Sequence, residues 1–269
     1  MKNSGRLRIG DDWNAITIIA LSQQNPLKAV AEFVENSIDA AARNITITRG
    51  RDRGQHFLRI KDDGHGIPRD EDGIPNFQYV ATHICDSIKR QLKQNGAQGV
   101  QGEFGIGLLS FWTVGEELLL ASTGADGRAY QMQMRKGEPR YEVKQKGILL
   151  ADGGTELTIR PLLPGNKQFS GEKLQWYLAS ELRDRIRKTG VQIRIIDRTA
   201  RAEFRVEPRQ FEGRLLHQLV RQPSPQSYIE LYLNRRDPAN LVGLYRAGTR
   251  VLENISELFP LERKPAPSK

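Results

Sequence analysis

Glu32 and Asn36, in the stretch AEFVENSIDAA at 31–41, are the residues whose types and spacing first suggest chemistry. Four positions apart on a helix, they stack on one face. There a carboxylate can orient a water molecule while a carboxamide oxygen ligates a hard cation. Mg²⁺ suits such a site, because it takes few protein oxygens and keeps water and phosphate ligands. A second stretch, IKDDGHGIP at 60–68, places Asp62 at a strand end, followed by Gly64 and Gly66. The carboxylate could accept a hydrogen bond from an adenine amino group, and the glycines would let the backbone approach a flat base.

The third stretch, GVQGEFGIGLLS at 99–110, has glycines at 99, 102, 105 and 107 and leads into Leu108, Leu109, Phe111 and Trp112. A glycine loop that opens a helix offers backbone N–H groups and a positive dipole end to phosphates. No G-K-[ST] ends it, so it is not a P-loop. Ser110 stands where a dinucleotide fingerprint needs its third glycine. Thr155, in GGTELTIRP at 153–161, could add a hydroxyl beside the base. Each stretch also has a plain structural reading. ENSID can be the polar face of an amphipathic helix, DDGHG an ordinary turn, and Thr155 a β-former at a strand start. Asp63 and His65 receive no chemical role.

The elements that must position these groups can be read from periodicity. Leu27, Val30, Val34, Ile38 and Ala41 recur at helical steps, predicting a helix over 26–43 with Asn25 as cap and Pro26 in its first turn. Alternation predicts strands at 44–48, 57–61, 117–122, 128–134 and 155–160, with a short helix after Gly107. Residues 64–100 are irregular and polar with several glycines, a length usual for functional lids or disordered loops. PLLPG at 161–165 marks the expected domain boundary. Beyond it a helix is predicted over 171–188, strands at VQIRII, AEFRV, YIELYL and LVGLYR, and a further short helix over 249–258.

The chain of 269 residues can bury a substantial core. No apolar run approaches the roughly 20 residues needed to cross a bilayer. The lone cysteine, Cys85, excludes an internal disulfide framework and suits a reducing cytoplasm. With four scattered histidines beside it, no zinc-ligand spacing can be assembled. The net charge of +9 divides as +1 over 1–163 and +8 over 164–269. That excess suits nucleic acid or an acidic protein partner, and equally a solvated arginine-rich surface.

In order, E-x-x-x-N, D-x-G-x-G, G-x-x-G-x-G and G-T resemble the motifs of the GHKL superfamily. That group holds gyrase B subunits, the ninety-kilodalton heat-shock chaperones, sensor histidine kinases and MutL proteins, with MORC ATPases as relatives. VENSIDAA resembles the MutL form and GEFGIGLLSF the chaperone form, and the resemblance covers residues 20–163. It implies an α+β fold of Bergerat type, a two-layer sandwich whose mixed, mostly antiparallel sheet has helices on one face. The ATP-binding domain would occupy 1–163, with a lid over about 68–104. A smaller, basic, transducer-like α/β module would follow at 164–269.

The resemblance also implies roles. Glu32 would be the general base, Asn36 the Mg²⁺ ligand, and Asp62 the adenine-binding group supported by Thr155. Gly64 and Gly66 would line the base pocket, and Gly102, Gly105 and Gly107 would form the lid and phosphate-binding turn. Asp39 would support them. The presence of Glu32, with no phosphoacceptor helix before the domain, favours hydrolysis over phosphoryl transfer to protein. The expected activity is Mg²⁺-dependent ATP hydrolysis driving a conformational switch, with dimerisation. The alternative is a nucleotide-regulated binding module with little turnover. A γ-phosphate-contacting cation from the second part would come from residues such as Lys167, Lys173, Lys188, Arg235, Arg246 or Arg250, with no motif to choose among them.

Overall fold

The computed structural model describes residues 4–6, 25–82, 107–147, 150, 153–165, 169–211, 214–220, 228–233, 243–246 and 248–252. After a short strand β1 (Ser4–Arg6), helix α1 spans Pro26–Asp39. The Asn25 side chain accepts the Leu27 N–H at 3.0 Å and Pro26 opens the first turn, as the cap residues predict. Its inner face buries Ala29, Val30, Phe33, Val34, Ser37 and Ile38. The helix stops at Asp39, four residues short of the expected end, because Ala41 takes a left-handed φ of 60°. The Asp63 carboxylate then accepts the Arg43 and Asn44 N–H groups at 2.7 and 2.8 Å and starts the next strand. Desolvation works to raise the pKa of Asp63, but these bonds and one from the Asn44 side chain outweigh it and hold it below the ordinary value.

Strands β2 (Asn44–Asp52) and β3 (Gln55–Asp62) form a hairpin, followed by α2 (Phe77–Thr82) and a 3₁₀ segment (Gly107–Thr113). Next come β4 (Gly115–Thr123), β5 (Ala129–Arg135), β6 (Arg140–Lys146) and β7 (Thr155–Leu162). β6 was not expected from the sequence. Only Tyr141 and Val143 of its seven residues are buried, so its alternation is carried by two side chains.

Helices α3 (Gly171–Glu181) and α4 (Arg183–Thr189) replace the single helix predicted over 171–188, with the break at Leu182. Strands β8 (Gln192–Asp197) and β9 (Ala202–Val206) follow. The main sheet has nine strands in the order β1-β6-β5-β4-β7-β3-β2-β8-β9. Every pairing is antiparallel except β2 with β8. The sheet therefore runs straight through the expected boundary at 163/164. Leu174, Leu178 and Ile186 of the two helices share one core with Val30, Val34, Leu58, Ile60 and the fully buried Phe111 and Trp112.

A buried ion pair ties this junction. Arg49 reaches Asp197 at 2.9 Å, and Asp197 also accepts the Gly171 N–H at the start of α3. Burial works to raise the pKa of Asp197. The Gly171 and Ala200 N–H groups and the Arg49 guanidinium more than offset it, so the carboxyl sits below its ordinary range.

The remaining strands form two small hairpins, β10 (Arg214–Val220) with β11 (Tyr228–Leu233), and β12 (Leu244–Arg246) with β13 (Thr249–Leu252). The helix expected over 249–258 is corrected for its first four residues. Gly248, at φ 92°, turns the chain back, so Thr249–Leu252 pairs with β12 instead of coiling. The rest of that segment lies outside the described residues. Among the described residues, no helix is long and apolar enough to cross a membrane.

Candidate functional site

Asp62 ends β3 with 5% of its surface exposed. A buried carboxylate must be compensated, and four donors do so here. The Ser37 hydroxyl donates at 2.9 Å, the Gly64 N–H at 2.9 Å and the Thr155 N–H at 3.2 Å, and the Thr155 hydroxyl donates to the second oxygen. The carboxylate is thus held rigidly by α1, by its own turn and by the first residue of β7.

The glycines around it are required by close approach. Gly154 has φ 84°, and a β-carbon there would run into the Asp62 carbonyl. A β-carbon on Gly64 would lie 2.8 Å from the Ala40 carbonyl oxygen. Gly66 lies against Ser122, whose hydroxyl donates to the Gly154 carbonyl and accepts the Ile67 N–H, each at 3.1 Å. The D-x-G-x-G turn and the G-T strand start are therefore stitched into one wall.

Glu32 is half-buried and Asn36 exposed on the polar stripe of α1. Gly107, opening the 3₁₀ segment, faces both. A β-carbon on it would sit 3.6 Å from Glu32 Oε2 and 4.0 Å from the Asn36 carboxamide nitrogen. The structure thus brings together Glu32, Asn36 and Gly107, and separately Asp62, Gly64, Gly66 and Thr155. Ser37, beside Asn36 in sequence and bonded to Asp62, links the two groups. Gly102, Gly105 and the lid beyond residue 82 lie outside the described residues. The described start of the lid, 68–82, is organised by Asp70, which accepts the Asp72 and Ile74 N–H groups at 3.1 and 2.9 Å.

Asp39, expected only to support the site, faces α4. It is ion-paired with Arg185 of α4, which also lies 4.0 Å from Glu35. Glu35 in turn accepts the Thr249 hydroxyl at 2.9 Å. At 100° per residue, Glu35 and Asp39 form one edge of the polar stripe and Glu32 and Asn36 the other. One edge is gripped by α4 and β13, and the other meets Gly107.

Among the candidate cations, Arg250 is buried against Glu181 at 3.1 Å and lies over the Tyr177 ring at 5.6 Å. Lys173 and Lys188 are exposed. Arg246 lies in β12. Lys167 and Arg235 lie outside the described residues. Ser37, Ser122 and Arg185 were not singled out from sequence. Only Ser37 carried a signal, as a small polar residue on the inner, apolar face of a helix.

Oxygen donors of neutral and anionic type at Asn36 and Glu32, the buried acceptor Asp62 and glycines at the points of closest approach make a set that fits a nucleotide with a hard divalent cation. Residues 24–147 match the family model described as histidine kinase-, DNA gyrase B- and HSP90-like ATPase. Together with the Bergerat architecture, this makes them a GHKL-type domain, the ATP-binding class of fold. Within that class the sequence is MutL-like. It is 31% identical over 139 residues to the DNA mismatch repair protein MutL of Halothermothrix orenii, a match covering 52% of this chain and 20% of that protein. The MutL of Halalkalibacterium halodurans is 32% identical over 142 residues, with the same coverages. That of Prosthecochloris aestuarii is 31% identical over 150, covering 54% of this chain and 22% of the relative. The chain therefore matches about a fifth of the length of these relatives.

Proposed function

We propose that this protein binds ATP and hydrolyses it in a Mg²⁺-dependent reaction that works a conformational switch. The observation that carries the reading is the meeting of Glu32, Asn36 and Gly107, joined through Ser37 to the anchored carboxylate of Asp62. Asp62 accepts a hydrogen bond from the adenine amino group, and Thr155 fixes the carboxylate that does so. Asn36 supplies a carboxamide oxygen for Mg²⁺. Glu32 orients the attacking water and accepts its proton. When bound, Mg²⁺ neutralises charge on the phosphates. Gly107 leaves room beside Glu32 and Asn36 for the phosphate end of the nucleotide, and Gly102 and Gly105 belong to the same phosphate-binding turn and lid.

The switch would pass through α1, whose polar stripe touches the site along one edge and α4 and β13 along the other. The basic C-terminal part at 164–269 would respond, with ATP-dependent dimerisation and a cytoplasmic setting. A thermal-shift series tests the reading. ATP with Mg²⁺ should raise the melting temperature, GTP should not, and chelation by EDTA should reduce the effect. No shift with any nucleotide would overturn it. One observation favours a second reading, a nucleotide-regulated binding module with little turnover: Arg250, a candidate γ-phosphate cation, is already committed to Glu181. Binding without measurable hydrolysis would select that reading.

A further inference from the structure

The face of the sheet that α1 does not cover carries the other half of each strand's side chains. Leu58 and Ile60 of β3 are buried in the core, so Phe57 and Arg59 point to the opposite face. Strand pairing aligns a transverse row there. Arg135 of β5 stands opposite Glu117 of β4, and Glu117 opposite Arg160 of β7. One step from the Leu58–Ile159 pair, Arg160 lies beside Phe57, and Phe57 is opposite Gly50 of β2. Arg198 follows at the end of β8. The glycine is needed, because a β-carbon on Gly50 would lie 2.9 Å from the Phe57 ring and 3.4 Å from the Arg198 side chain.

This row floors an open trough of about 670 Å³. Of its fifteen lining residues, seven are Arg or Lys and four are Asp or Glu. Glu117 lies 3.6 Å from both Arg135 and Arg160 and is already engaged. Arg53, Lys136 and Arg198 line the trough and make no ion pair with a described residue; Arg53 and Arg198 are exposed and Lys136 half-buried. Fourteen of the fifteen, all but Arg198, lie within residues 1–163, which carry only +1 overall, so the positive excess is local.

We infer that this trough binds the phosphate backbone of nucleic acid. The row crosses six neighbouring strands, and its cations, from β2, β3, β5 and β7 and from the residues just beyond β2, β5 and β8, do not converge on a point, which suits a linear polyanion better than a compact one. At about 4.8 Å per strand the row spans about 24 Å, close to seven nucleotides at about 3.4 Å each. Arginine forks match phosphate geometry. Phe57, the one aromatic among the described lining residues, is buried beneath the row and offers no stacking surface, so binding is to the backbone and independent of sequence. The trough lies on the face opposite α1 and the nucleotide site, so the inference stands apart from the proposed ATP chemistry.

Fluorescence anisotropy of the full chain with a labelled DNA duplex of about 20 base pairs, titrated across a salt series, tests it. The pair Arg53→Glu/Arg198→Glu, and Lys136→Glu alone, should weaken binding by about 10-fold or more. Each should flatten the slope of log affinity against log salt by about 0.9 for every phosphate that is no longer neutralised. The control pair Lys173→Glu/Lys188→Glu, in the basic C-terminal part, should stay within about twofold. All variants should keep the wild-type melting temperature. Three results would overturn the inference: unchanged binding in the trough variants, an equal or larger loss in the control pair, or a wild-type protein that ignores the duplex but binds polyglutamate.

Discussion

Replacing Asp62 with Asn separates its role in holding the fold from its role in reading a base. One oxygen of the carboxylate accepts two backbone N–H groups, from Gly64 and Thr155, and the other accepts two hydroxyls, from Ser37 and Thr155. An asparagine can keep its oxygen on the backbone pair and turn its NH₂ toward the hydroxyls, which rotate to accept. The internal bonds are thus largely remade, and the stability loss should stay near 1 kcal/mol. A base amino group meets a different situation. It needs an acceptor, and the variant presents a donor on the hydroxyl side and a neutral oxygen elsewhere. Losing a hydrogen bond to a charged acceptor costs about 1.5–3 kcal/mol, or about 10- to 150-fold in affinity. Calorimetric titration of wild type and Asp62→Asn, each with ATP and with the purine triphosphate lacking the amino group, closes a double-mutant cycle. ATP should lose affinity in the variant while the amino-less analogue binds both proteins about equally. Equal loss for both ligands, or no loss for ATP, would refute the assignment.

Arg185→Ala should leave the Glu35 and Asp39 carboxylates partly buried without their shared cation, costing about 3–5 kcal/mol in urea unfolding; a loss under about 1 kcal/mol would mean the grip on α1 lies elsewhere. Gly154→Ala combines a φ of 84° with a collision at the Asp62 carbonyl, so it should abolish nucleotide-induced stabilisation and lower the melting temperature; a variant that binds ATP normally would show that this wall can move. Asp197 has a folded pKa below its unfolded value of about 3.9. Its contribution to stability is therefore complete well above that value and is lost as pH falls below about 5 and through the folded pKa. Asp197→Asn should lower stability at neutral pH and flatten its decline as pH falls below about 5; parallel curves for wild type and variant would count against the buried pair.

What could be read in advance follows from how local each signal is. The α1 helix was legible because Asn25, Pro26 and the apolar spacing all act within a few residues, and its end was missed because Asp63, twenty positions on, captures the chain at Arg43 and Asn44. Asp62 and Thr155 could be paired only through motif resemblance, since 93 residues separate them. The parallel pairing of β8 with β2 joins segments about 148 residues apart, and no local pattern announces it. That is why a boundary was expected where the sheet continues. The trough was invisible for the same reason. Its cations come from four strands and from residues just beyond strand ends, and only pairing register gathers them on one face.

The most direct test of the account is ATP turnover with Mg²⁺ by wild type and Glu32→Ala, with nucleotide-induced stabilisation measured on both. Removal of a positioned general base should cut turnover by about 10²–10⁴-fold. ATP at about 100 times its dissociation constant should still add about 2.7 kcal/mol of stability to each protein. Turnover that survives the substitution, or stabilisation that disappears together with turnover, would contradict the role given to Glu32.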